Sequence, residues 1–367
     1  MASLRSAAWA LLRLPGRLAY RRSLERVRFD VPREVPVLNY GGVLPRGGKT
    51  IVAGGKVKLR HLDRAFPESE RCNVLYLVSS AVPPHAAELV RWAKARGIKV
   101  VWNQNGVAFP AWAGKRLAET NEPMAELLRL ADFVIYQSAF CRESADHFLG
   151  SVSVPSRVLF NPVDLAEFSP AAKPPPLDCW RLLTAGTHYQ PSRVLGPLEA
   201  LRQIRKSGQA AHLTIAGELR WPGARTEVEA ALTRNGLHNS VTFRPAFTQA
   251  EAVALFHDAH LLLHLKYHDP CPTVVIEALA CGVPVIGSRS GGMPELVGTE
   301  AGELIDVALS WERSEPPDPA AVKGAVERLM GEWTRRRQAA RSRAERLFDV
   351  TGWVAEHRRI FASVLGS

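Results

Sequence analysis

The sequence contains few cysteines, and none of them are grouped. Five cysteines occur in 367 residues, at Cys72, Cys141, Cys179, Cys271 and Cys281, with no close pair of the kind that binds zinc. An odd number cannot pair completely within one chain, which argues against a disulfide-stabilised secreted domain and favours a reducing, cytoplasmic location. No metal site is predicted.

The N-terminus lacks a hydrophobic run long enough to cross a membrane. Its longest uncharged segment, residues 6–12, is far shorter than the ~20 residues that a membrane-spanning helix needs, and no apolar region leads to a secretory cleavage site. Basic charge is abundant instead: residues 1–64 hold fourteen Lys or Arg and four acids, a surplus of ten within a net charge of +11.

This basic end allows two interpretations, and both stay open. Trp9 and nearby leucines alternate with arginines in residues 1–28, which suits a peripheral helix on an anionic membrane, here the inner face of the cytoplasmic membrane. The same segment suits a solvated basic arm or a helix packed on the N-terminal domain.

Missing residues disfavour two further classes of protein. The segment GVLPRGGKT (42–50) ends like a phosphate-binding P-loop, but Val43 stands where the first glycine is required, which excludes an ATPase of that type.

The positive charge of the chain also suits a nucleic-acid-binding module. Because the surplus lies in residues 1–64 without a nucleic-acid motif, we expect no nucleic-acid partner.

The remaining sequence predicts an α/β protein of two domains. From Val35 onward, short apolar runs alternate with longer amphipathic ones, as in parallel strands connected by helices. Three consecutive prolines in residues 171–178 predict a linker between two Rossmann-like, doubly wound domains, at residues 29–170 and 179–348. Strands are predicted at residues 50–53, 73–78, 99–102, 133–137 and 157–160, and then at 182–185, 213–216, 241–243, 261–265 and 283–286.

Three helices have recognisable boundaries. Residues 84–95 form the first, Ser138 is placed to cap a second at 139–149, and Thr248 with Glu251 forms a capping box for a third at 249–258. Because such sheets bind ligands at the carboxyl ends of their strands, we expect the site in the cleft between the domains.

Residues 264–298 (HLKYHDPCPTVVIEALACGVPVIGSRSGGMPELVG) contain the most informative pattern. Pro272 suits the first turn of a helix, and Gly282 suits its end. The free amides near Thr273 and Val274, at the positive end of this helix, form a ready site for a diphosphate.

Glu277 lies within the same helix among apolar residues. Burial of an unpaired carboxylate is unfavourable, so Glu277 needs a partner or a ligand, and a carboxylate that accepts two hydroxyl hydrogen bonds suits a ribose ring. Alternatively, Glu277 lies on a solvated outer stripe of the helix.

Residues 269–298 resemble the donor-site signature of retaining family 4 glycosyltransferases, which have the GT-B fold. The signature is an acidic residue, seven others, a Glu, a glycine-proline turn and a Gly-Gly loop leading to Pro-Glu. The resemblance implies that Asp269 faces the donor sugar in a catalytic role and that Glu277 binds the nucleotide ribose. Asp stands where Glu is more usual, which keeps the charge but shortens the reach.

Residues 182–201 (LLTAGTHYQPSRVLGPLEAL) resemble the family's strand, glycine loop and helix, where an Arg and a Lys meet the donor phosphates. The resemblance implies donor-binding roles for Gly186, Thr187 and Arg193. Arg193 occupies the lysine place, where a guanidinium grips phosphate well. Thr187 occupies the arginine place, so one positive charge is either missing or supplied elsewhere.

Outside the donor region the resemblance is weaker. The segment AGGKVK (53–58) is similar to the family's glycine-rich loop, which makes Gly54 and Gly55 candidates for the acceptor or sugar loop, with a plain turn as the alternative. Asn105 is the second catalytic candidate, because it stands where the family often has a His close to the donor sugar. An amide orients a hydroxyl but does not act as an acid or base near neutral pH. Residues 349–367 resemble the family's terminal helix, which packs back across the domains.

These features predict an enzyme that transfers a sugar, with retention of configuration, from a uridine or guanosine diphosphate sugar to a glycan or lipid-linked acceptor. Family habit and the basic end favour synthesis of cell-surface polysaccharide or lipopolysaccharide. No cofactor and no obligatory metal are expected. Three alternatives stay open: a nucleotide-sugar epimerase or hydrolase of the same fold, a non-catalytic basic binding module, and a silent sugar-nucleotide sensor, which Asn105 and Thr187 leave possible.

Overall fold

The computed structural model describes Leu24 and residues 34–44 and 55–366. In these residues two separate parallel β-sheets follow one another along the chain, each surrounded by helices. This architecture confirms the predicted fold class, two Rossmann-like domains. The predicted strand at 50–53, Gly54, and all of residues 1–28 except Leu24 lie outside the described residues.

The N-terminal domain has a sheet of five described strands in the order β1-β2-β3-β4-β5. Its elements are β1 (Leu38–Asn39), α1 (Gly55–Ala65), β2 (Val74–Val78), α2 (Ala86–Lys94), β3 (Lys99–Gln104), α3 (Pro110–Ala113), α4 (Leu117–Leu130), β4 (Phe133–Tyr136), α5 (Ala139–Phe148) and β5 (Ser156–Val158). Every residue of the apolar strand β2 is buried, as expected for a parallel sheet covered on both faces.

A local sequence signal sets the start of helix α5. The Ser138 hydroxyl accepts a hydrogen bond from the Cys141 amide at 3.0 Å, so the predicted cap of α5 is confirmed. Helix α2 begins two residues later than predicted, because His85 has a left-handed backbone (φ 57°) that is not helical. The two-residue strand β1 is too short to give a period-2 pattern and was not predicted.

The C-terminal domain has a six-stranded parallel sheet in the order β11-β10-β9-β6-β7-β8. Its elements are β6 (Trp180–Ala185), α6 (Ser192–Lys206), β7 (Ala211–Ala216), α7 (Ala224–Asn235), β8 (Val241–Arg244), α8 (Gln249–His257), β9 (Leu261–His264), α9 (Thr273–Ala280), β10 (Val285–Ser288), α10 (Met293–Val297), β11 (Gly302–Ile305) and α11 (Pro319–Gly331). The strand order reverses between β6 and β9, and such a switch point opens a crevice at the carboxyl ends of the two strands.

Two boundaries in this domain bear directly on the site. The capping box of Thr248 and Glu251 at the start of α8 is confirmed. The strand predicted at 283–286 begins at Val285 instead, because Gly282 (φ 70°) and a hydrogen bond from the Val283 amide to the Ala278 carbonyl (2.8 Å) first complete the end of α9.

The last two helices, α12 (Trp333–Leu347) and α13 (Val350–Leu365), connect the domains. Trp353 and Phe361 of α13 pack with Tyr40 and Tyr76 in the core of the N-terminal domain, and the Phe361 and Tyr76 rings meet edge to face at 6.1 Å. The last described helix therefore packs on the N-terminal domain. No helix in the described part of the chain is both long and apolar enough to span a bilayer.

Candidate active site

A cavity of about 660 Å³ lies between the two domains, at the carboxyl ends of their strands. Ser80, Asn105, Gln137 and Asn161 line its N-terminal side. The C-terminal side is formed by the loops after β6 and β9 and by the start of α9. Nine residues predicted from the sequence lie together on its wall: Asn105, Gly186, Thr187, Arg193, Asp269, Pro272, Thr273, Val274 and Glu277.

Gly55 does not line this cavity. It is buried at the first residue of α1, and a Cβ there would contact the Ser80 hydroxyl and lie 2.7 Å from the Val78 Cγ1 atom. The missing side chain therefore lets α1 approach the end of β2. Its role in an acceptor loop stays a prediction.

Helix α9 points its N-terminus into the cavity. Pro272 is the residue directly before the helix, with an extended backbone (φ −67°, ψ 118°), and Thr273 and Val274 form the first turn. Proline at this place loses no hydrogen bond, since the first amides of a helix have no partner within it. The first turn therefore offers amides and the positive end of the helix dipole to a bound anion.

Glu277 lies one turn further along α9 and is 7% exposed. Among the described residues, its carboxylate accepts one hydrogen bond, from the Gln249 side-chain amide at 3.2 Å. Gln249 is the first residue of α8, so the capping box of that helix places the donor. Burial raises the pKa of Glu277 to about 7, although Gln249 opposes the shift. Glu277 is thus a buried carboxylate with room for further donors on the cavity side.

Asp269 follows β9 and has basic neighbours that the sequence interpretation did not single out. Its carboxylate lies 2.9 Å from His264 Nε2 and 3.2 Å from Lys266 Nζ. Burial alone would raise the pKa of Asp269, but Lys266, His264 and Arg193 outweigh burial and keep it below its usual range. Asp269 therefore stays ionised and does not act as an acid near neutral pH.

Arg193, on α6, is buried with its guanidinium directed at the loop after β6. It donates to the Thr187 carbonyl and, at 3.4 Å, to the Ala185 carbonyl. Burial lowers the pKa of Arg193 while Asp269 raises it, and a guanidinium remains charged throughout. Gly186, between these two carbonyls, has a φ of 105°, which a side chain rarely allows.

The cavity holds positive charge that the sequence did not assign. Lys266 and Arg220 line the same wall as Thr187, so cations are present although Thr187 replaces the expected arginine. The position of Lys266 could have indicated this role, because it lies in the loop between β9 and Asp269, where a strand end faces the cleft. Among the described residues, no three His, Cys, Asp or Glu side chains form a group that could hold a metal ion.

The donor-side loop is held against the N-terminal domain by direct contacts. The Ser138 hydroxyl donates to the Pro270 carbonyl at 2.8 Å, and the Asn161 amide donates to the Cys271 carbonyl at 2.9 Å. The Glu295 carboxylate accepts from the backbone amides of Ala139 (2.6 Å) and Phe140 (3.0 Å) at the start of α5. The Pro-Glu end of the signature thus contacts the opposite domain.

The Gly-Gly pair of the signature packs directly on the same loop. A Cβ at Gly291, whose φ is 64°, would lie 2.5 Å from the Asp269 carbonyl oxygen, and one at Gly292 would overlap the Pro270 carbonyl. The two glycines are therefore required for the loop that carries Asp269 to lie where it does.

A second cavity of about 420 Å³ adjoins the first. The two share part of their walls: Ser80, Asn105, Arg193, Lys266 and Pro270. Together with small, apolar and hydroxyl-bearing residues, six aromatic side chains contribute to the rest of the second cavity: Phe109, Trp112, Phe140, Tyr189, Tyr267 and His268. Hydroxyl and amide groups interrupt this surface, and no carboxylate contributes to its described lining.

Comparison with known proteins agrees with this geometry. The family model "Glycosyl transferases group 1" matches residues 180–345, the C-terminal domain. A glycogen synthase of Mycobacterium tuberculosis is 23% identical over 313 residues, covering 84% of this chain and 72% of the relative. A GDP-mannose-dependent alpha-(1-6)-phosphatidylinositol dimannoside mannosyltransferase of the same species is 26% identical over 280 residues, covering 70% and 66%.

The fold is also found in solved structures. The structure of Anabaena HepE in complex with UDP-glucose superimposes with a TM-score of 0.64 at 16% identity, covering 84% of this chain and 82% of that one. The C-terminal signature, the paired parallel sheets and these relatives agree. The C-terminal domain, residues 180–345, belongs to the group 1 glycosyltransferases, and the chain has the GT-B fold of a glycosyltransferase.

Proposed function

We propose that the chain transfers a sugar from a nucleotide diphosphate sugar, bound to its C-terminal domain, to a hydroxyl group of an acceptor held against its N-terminal domain. One observation carries the proposal: a buried carboxylate (Glu277), the free end of α9 and a cluster of cations line a single cavity. In this arrangement Glu277 accepts hydrogen bonds from the ribose hydroxyls. The diphosphate lies against Arg193 and the amides of Thr273 and Val274.

Electrostatic stabilisation of the leaving diphosphate is the proposed source of the rate. When the bond from the sugar to the diphosphate breaks, negative charge grows on the departing phosphate, next to Arg193, Lys266 and the α9 amides. Preorganised donors of this kind act more strongly on the transition state than on the ground state. The acceptor hydroxyl gives up its proton to the leaving phosphate, and no cofactor or obligatory metal is needed. Asp269, ionised throughout, orients the hydroxyls of the donor sugar.

Retention of configuration and the pathway are further parts of the proposal. The signature resemblance supports retention. Relatives named as a glycogen synthase and as a phosphatidylinositol dimannoside mannosyltransferase support a glycan or a lipid-linked acceptor. The assembly of cell-surface polysaccharide or lipopolysaccharide is proposed from the family resemblance and the basic N-terminal segment. We place the protein in the cytoplasm, with residues 1–28 as a peripheral contact to anionic lipid, on the basis of their charge.

The decisive experiment is a thermal-shift screen with UDP-glucose, UDP-N-acetylglucosamine, GDP-mannose and ADP-glucose. A ligand present at 100 times its Kd stabilises a protein by about 2.7 kcal/mol, which raises Tm by several degrees. We expect one sugar nucleotide to do so. If none of the four shifts Tm at millimolar concentration, the proposal loses its support. Incubation of the stabilising nucleotide without acceptor then detects an epimerase or hydrolase, which converts the donor alone.

Donor affinity should depend on pH through Glu277. Because burial raises its pKa to about 7, the carboxylate of the free protein is protonated below that pH and accepts ribose hydroxyl bonds less well. We expect affinity to be highest above pH 7 and to fall by up to about tenfold per pH unit below it, the limit for a single titrating group. Calorimetry with the intact sugar nucleotide measures this change, since a free terminal phosphate with a pKa near 6 would itself titrate.

The control for this prediction is the Glu277→Gln variant, in which the titrating group is absent. Its affinity should be weaker but constant between pH 5.5 and 7.5. A wild-type affinity that is equally constant over this range would show that Glu277 does not bind the donor as an anion.

The aromatic cavity is the proposed acceptor site, because its contents must touch those of the donor cavity at Asn105 and Lys266. Trp112 and Tyr189 are large aromatic side chains at 53% and 62% exposure, one from each domain. An aromatic surface interrupted by hydroxyl and amide groups suits a sugar ring, whose C–H face packs on aromatic rings while its hydroxyls form hydrogen bonds.

Replacement of Trp112 by alanine should therefore raise the KM for a glycoside acceptor by about five- to tenfold, the loss of one aromatic contact of about 1 to 1.5 kcal/mol. The Kd for the sugar nucleotide should not change. A panel of octyl glycosides serves as acceptor. Leu309→Ala, which removes a 70% exposed side chain outside both cavities, is the matched control. An unchanged acceptor KM in the Trp112 variant would remove this cavity from the acceptor site.

A further inference from the structure

Lys58 is a buried lysine on α1, 2% exposed. Its Nζ atom donates to the side-chain oxygens of Asn103 (2.7 Å) and Asn105 (3.0 Å). Among the described residues, no carboxylate lies within ion-pair distance of it. Burial of an ammonium group without an ion-pair partner destabilises the fold, so this lysine points to a functional and not a stabilising role.

A chain of hydrogen bonds leads from helix α13 to Lys58, and the donor and acceptor of each bond can be assigned. His357 Nδ1 lies 2.9 Å from the Trp353 carbonyl, which only accepts, so Nδ1 carries the proton. Burial lowers the pKa of His357 to about 3; its Nε2 is therefore free to accept from the Tyr76 hydroxyl at 3.0 Å. Tyr76 in turn accepts from the Asn103 amide nitrogen at 2.8 Å. The Asn103 oxygen must then face Lys58.

The same reasoning fixes the orientation of Asn105. Its oxygen accepts from Lys58 and from the Gln137 amide nitrogen, and its own nitrogen donates to the Ser80 hydroxyl. Asn105 and Ser80 line both cavities, whereas Lys58 lines neither. The oxygen is thus turned into the protein, and the NH₂ group lies on the side of the cleft.

We propose that Lys58 is a positioning residue of the transferase: it holds the Asn105 carboxamide with its NH₂ group toward the cleft, where that group donates a hydrogen bond to a sugar hydroxyl oxygen. The inference rests on the proposed function. A carboxamide can present either its oxygen, which accepts, or its NH₂ group, which donates. Because Lys58 fixes the rotation of Asn105, the cleft always meets the donor, and a side chain without acid-base chemistry can still orient the sugar.

The groups that face Lys58 do not titrate near neutral pH. Burial raises the pKa of the Cys141 thiol on α5 to about 12 and raises those of the Cys271 thiol and the Tyr76 hydroxyl as well, while His357 stays neutral. Burial lowers the pKa of Lys58 itself to about 7. Within this cluster, Lys58 is therefore the described group that changes charge between pH 6 and 9.

The test is Lys58→Met, which keeps the length of the side chain and removes the amine. The pKa of Lys58 is lower in the folded than in the unfolded chain, so its destabilisation is full below pH 7 and declines as pH rises toward the unfolded value. We expect the variant to have a higher Tm than wild type at pH 6, with a smaller difference at pH 9. Gln137 also lies 3.4 Å from the Asn103 oxygen, so neither asparagine oxygen is left without a donor.

Activity should move in the opposite direction. The substrate is the sugar nucleotide that raises Tm in the thermal-shift screen. In Lys58→Met we expect kcat for release of its nucleoside diphosphate to fall on the order of tenfold, while the Kd of the variant for that sugar nucleotide stays within about twofold of the wild-type value. Lys56→Met is the matched control, since Lys56 is an exposed lysine on the same helix, and we expect it to change neither Tm nor kcat.

A double-mutant cycle with Asn105→Ala isolates the positioning role. If Lys58 acts through Asn105, adding Lys58→Met to Asn105→Ala lowers kcat no further. An unchanged kcat in Lys58→Met, additive effects in the cycle, or a lower Tm at pH 6 would overturn the proposal. Failure of the proposed function is distinguishable, because it appears in wild-type protein as the absence of turnover with every sugar nucleotide.

Discussion

Replacement of Glu277 by alanine is expected to weaken sugar-nucleotide binding by at least about 100-fold while the protein stays folded. The carboxylate would lose two hydrogen bonds to ribose hydroxyls, and bonds to a charged group contribute about 1.5 to 3 kcal/mol each; a total near 3 kcal/mol corresponds to about two powers of ten in Kd. Because the unliganded site holds this carboxylate buried with one donor, Gln249, the variant without ligand should be as stable as wild type or more so. Calorimetry for Kd and a thermal melt for Tm measure the two effects.

The matched control is Glu229→Ala, the same substitution on an exposed position of helix α7 in the same domain. It should leave both Kd and Tm nearly unchanged. Binding by Glu277→Ala at the wild-type Kd would show that the ribose lies elsewhere. A Tm far below that of wild type would show that Glu277 has a structural role instead.

Replacement of Arg193 by alanine is expected to reduce kcat by about 100- to 1,000-fold, the usual effect of removing one preorganised donor from a developing negative charge. The guanidinium is held by the Thr187 and Ala185 carbonyls, so it needs little rearrangement when the diphosphate departs. Steady-state kinetics should show a larger change in kcat than in donor KM, because the interaction strengthens as the bond breaks.

Two further variants interpret this result. Arg193→Lys keeps the charge but loses the planar fork, and we expect it to recover part of kcat. Arg205→Ala removes an exposed arginine from the same helix and should behave as wild type. Equal losses in kcat for Arg193→Ala and Arg193→Lys would indicate that shape, not charge, matters at this position.

The donor side of the site could be predicted because its determinants are close in sequence. Pro272, the α9 amides and Glu277 lie within six residues on one helix, so their arrangement follows from the geometry of a helix start. The cap at Ser138 and the capping box at Thr248 were predictable for the same reason. Each depends on residues three apart and on little else.

The acceptor side could not be predicted in the same way, because its contacts are made between distant segments. Lys58 lies 47 residues from Asn105, and an AGGKVK segment gives no sign that this lysine, unlike Lys56, becomes buried. Trp112 and Tyr189 come from different domains and meet at one cavity only through the arrangement of the two sheets. The local pattern around Gly55 predicts a sugar loop, but it gives no sign that this glycine also packs on the end of β2.

Glu295 connects the two domains through the N-terminus of helix α5. Its carboxylate belongs to the C-terminal domain, yet it satisfies the first two amides of α5 in the N-terminal domain. Any widening of the crevice that lets product leave must expose those amides to water and release a negative charge from the start of that helix. Opening of the crevice would therefore remove a favourable negative charge from the N-terminus of α5.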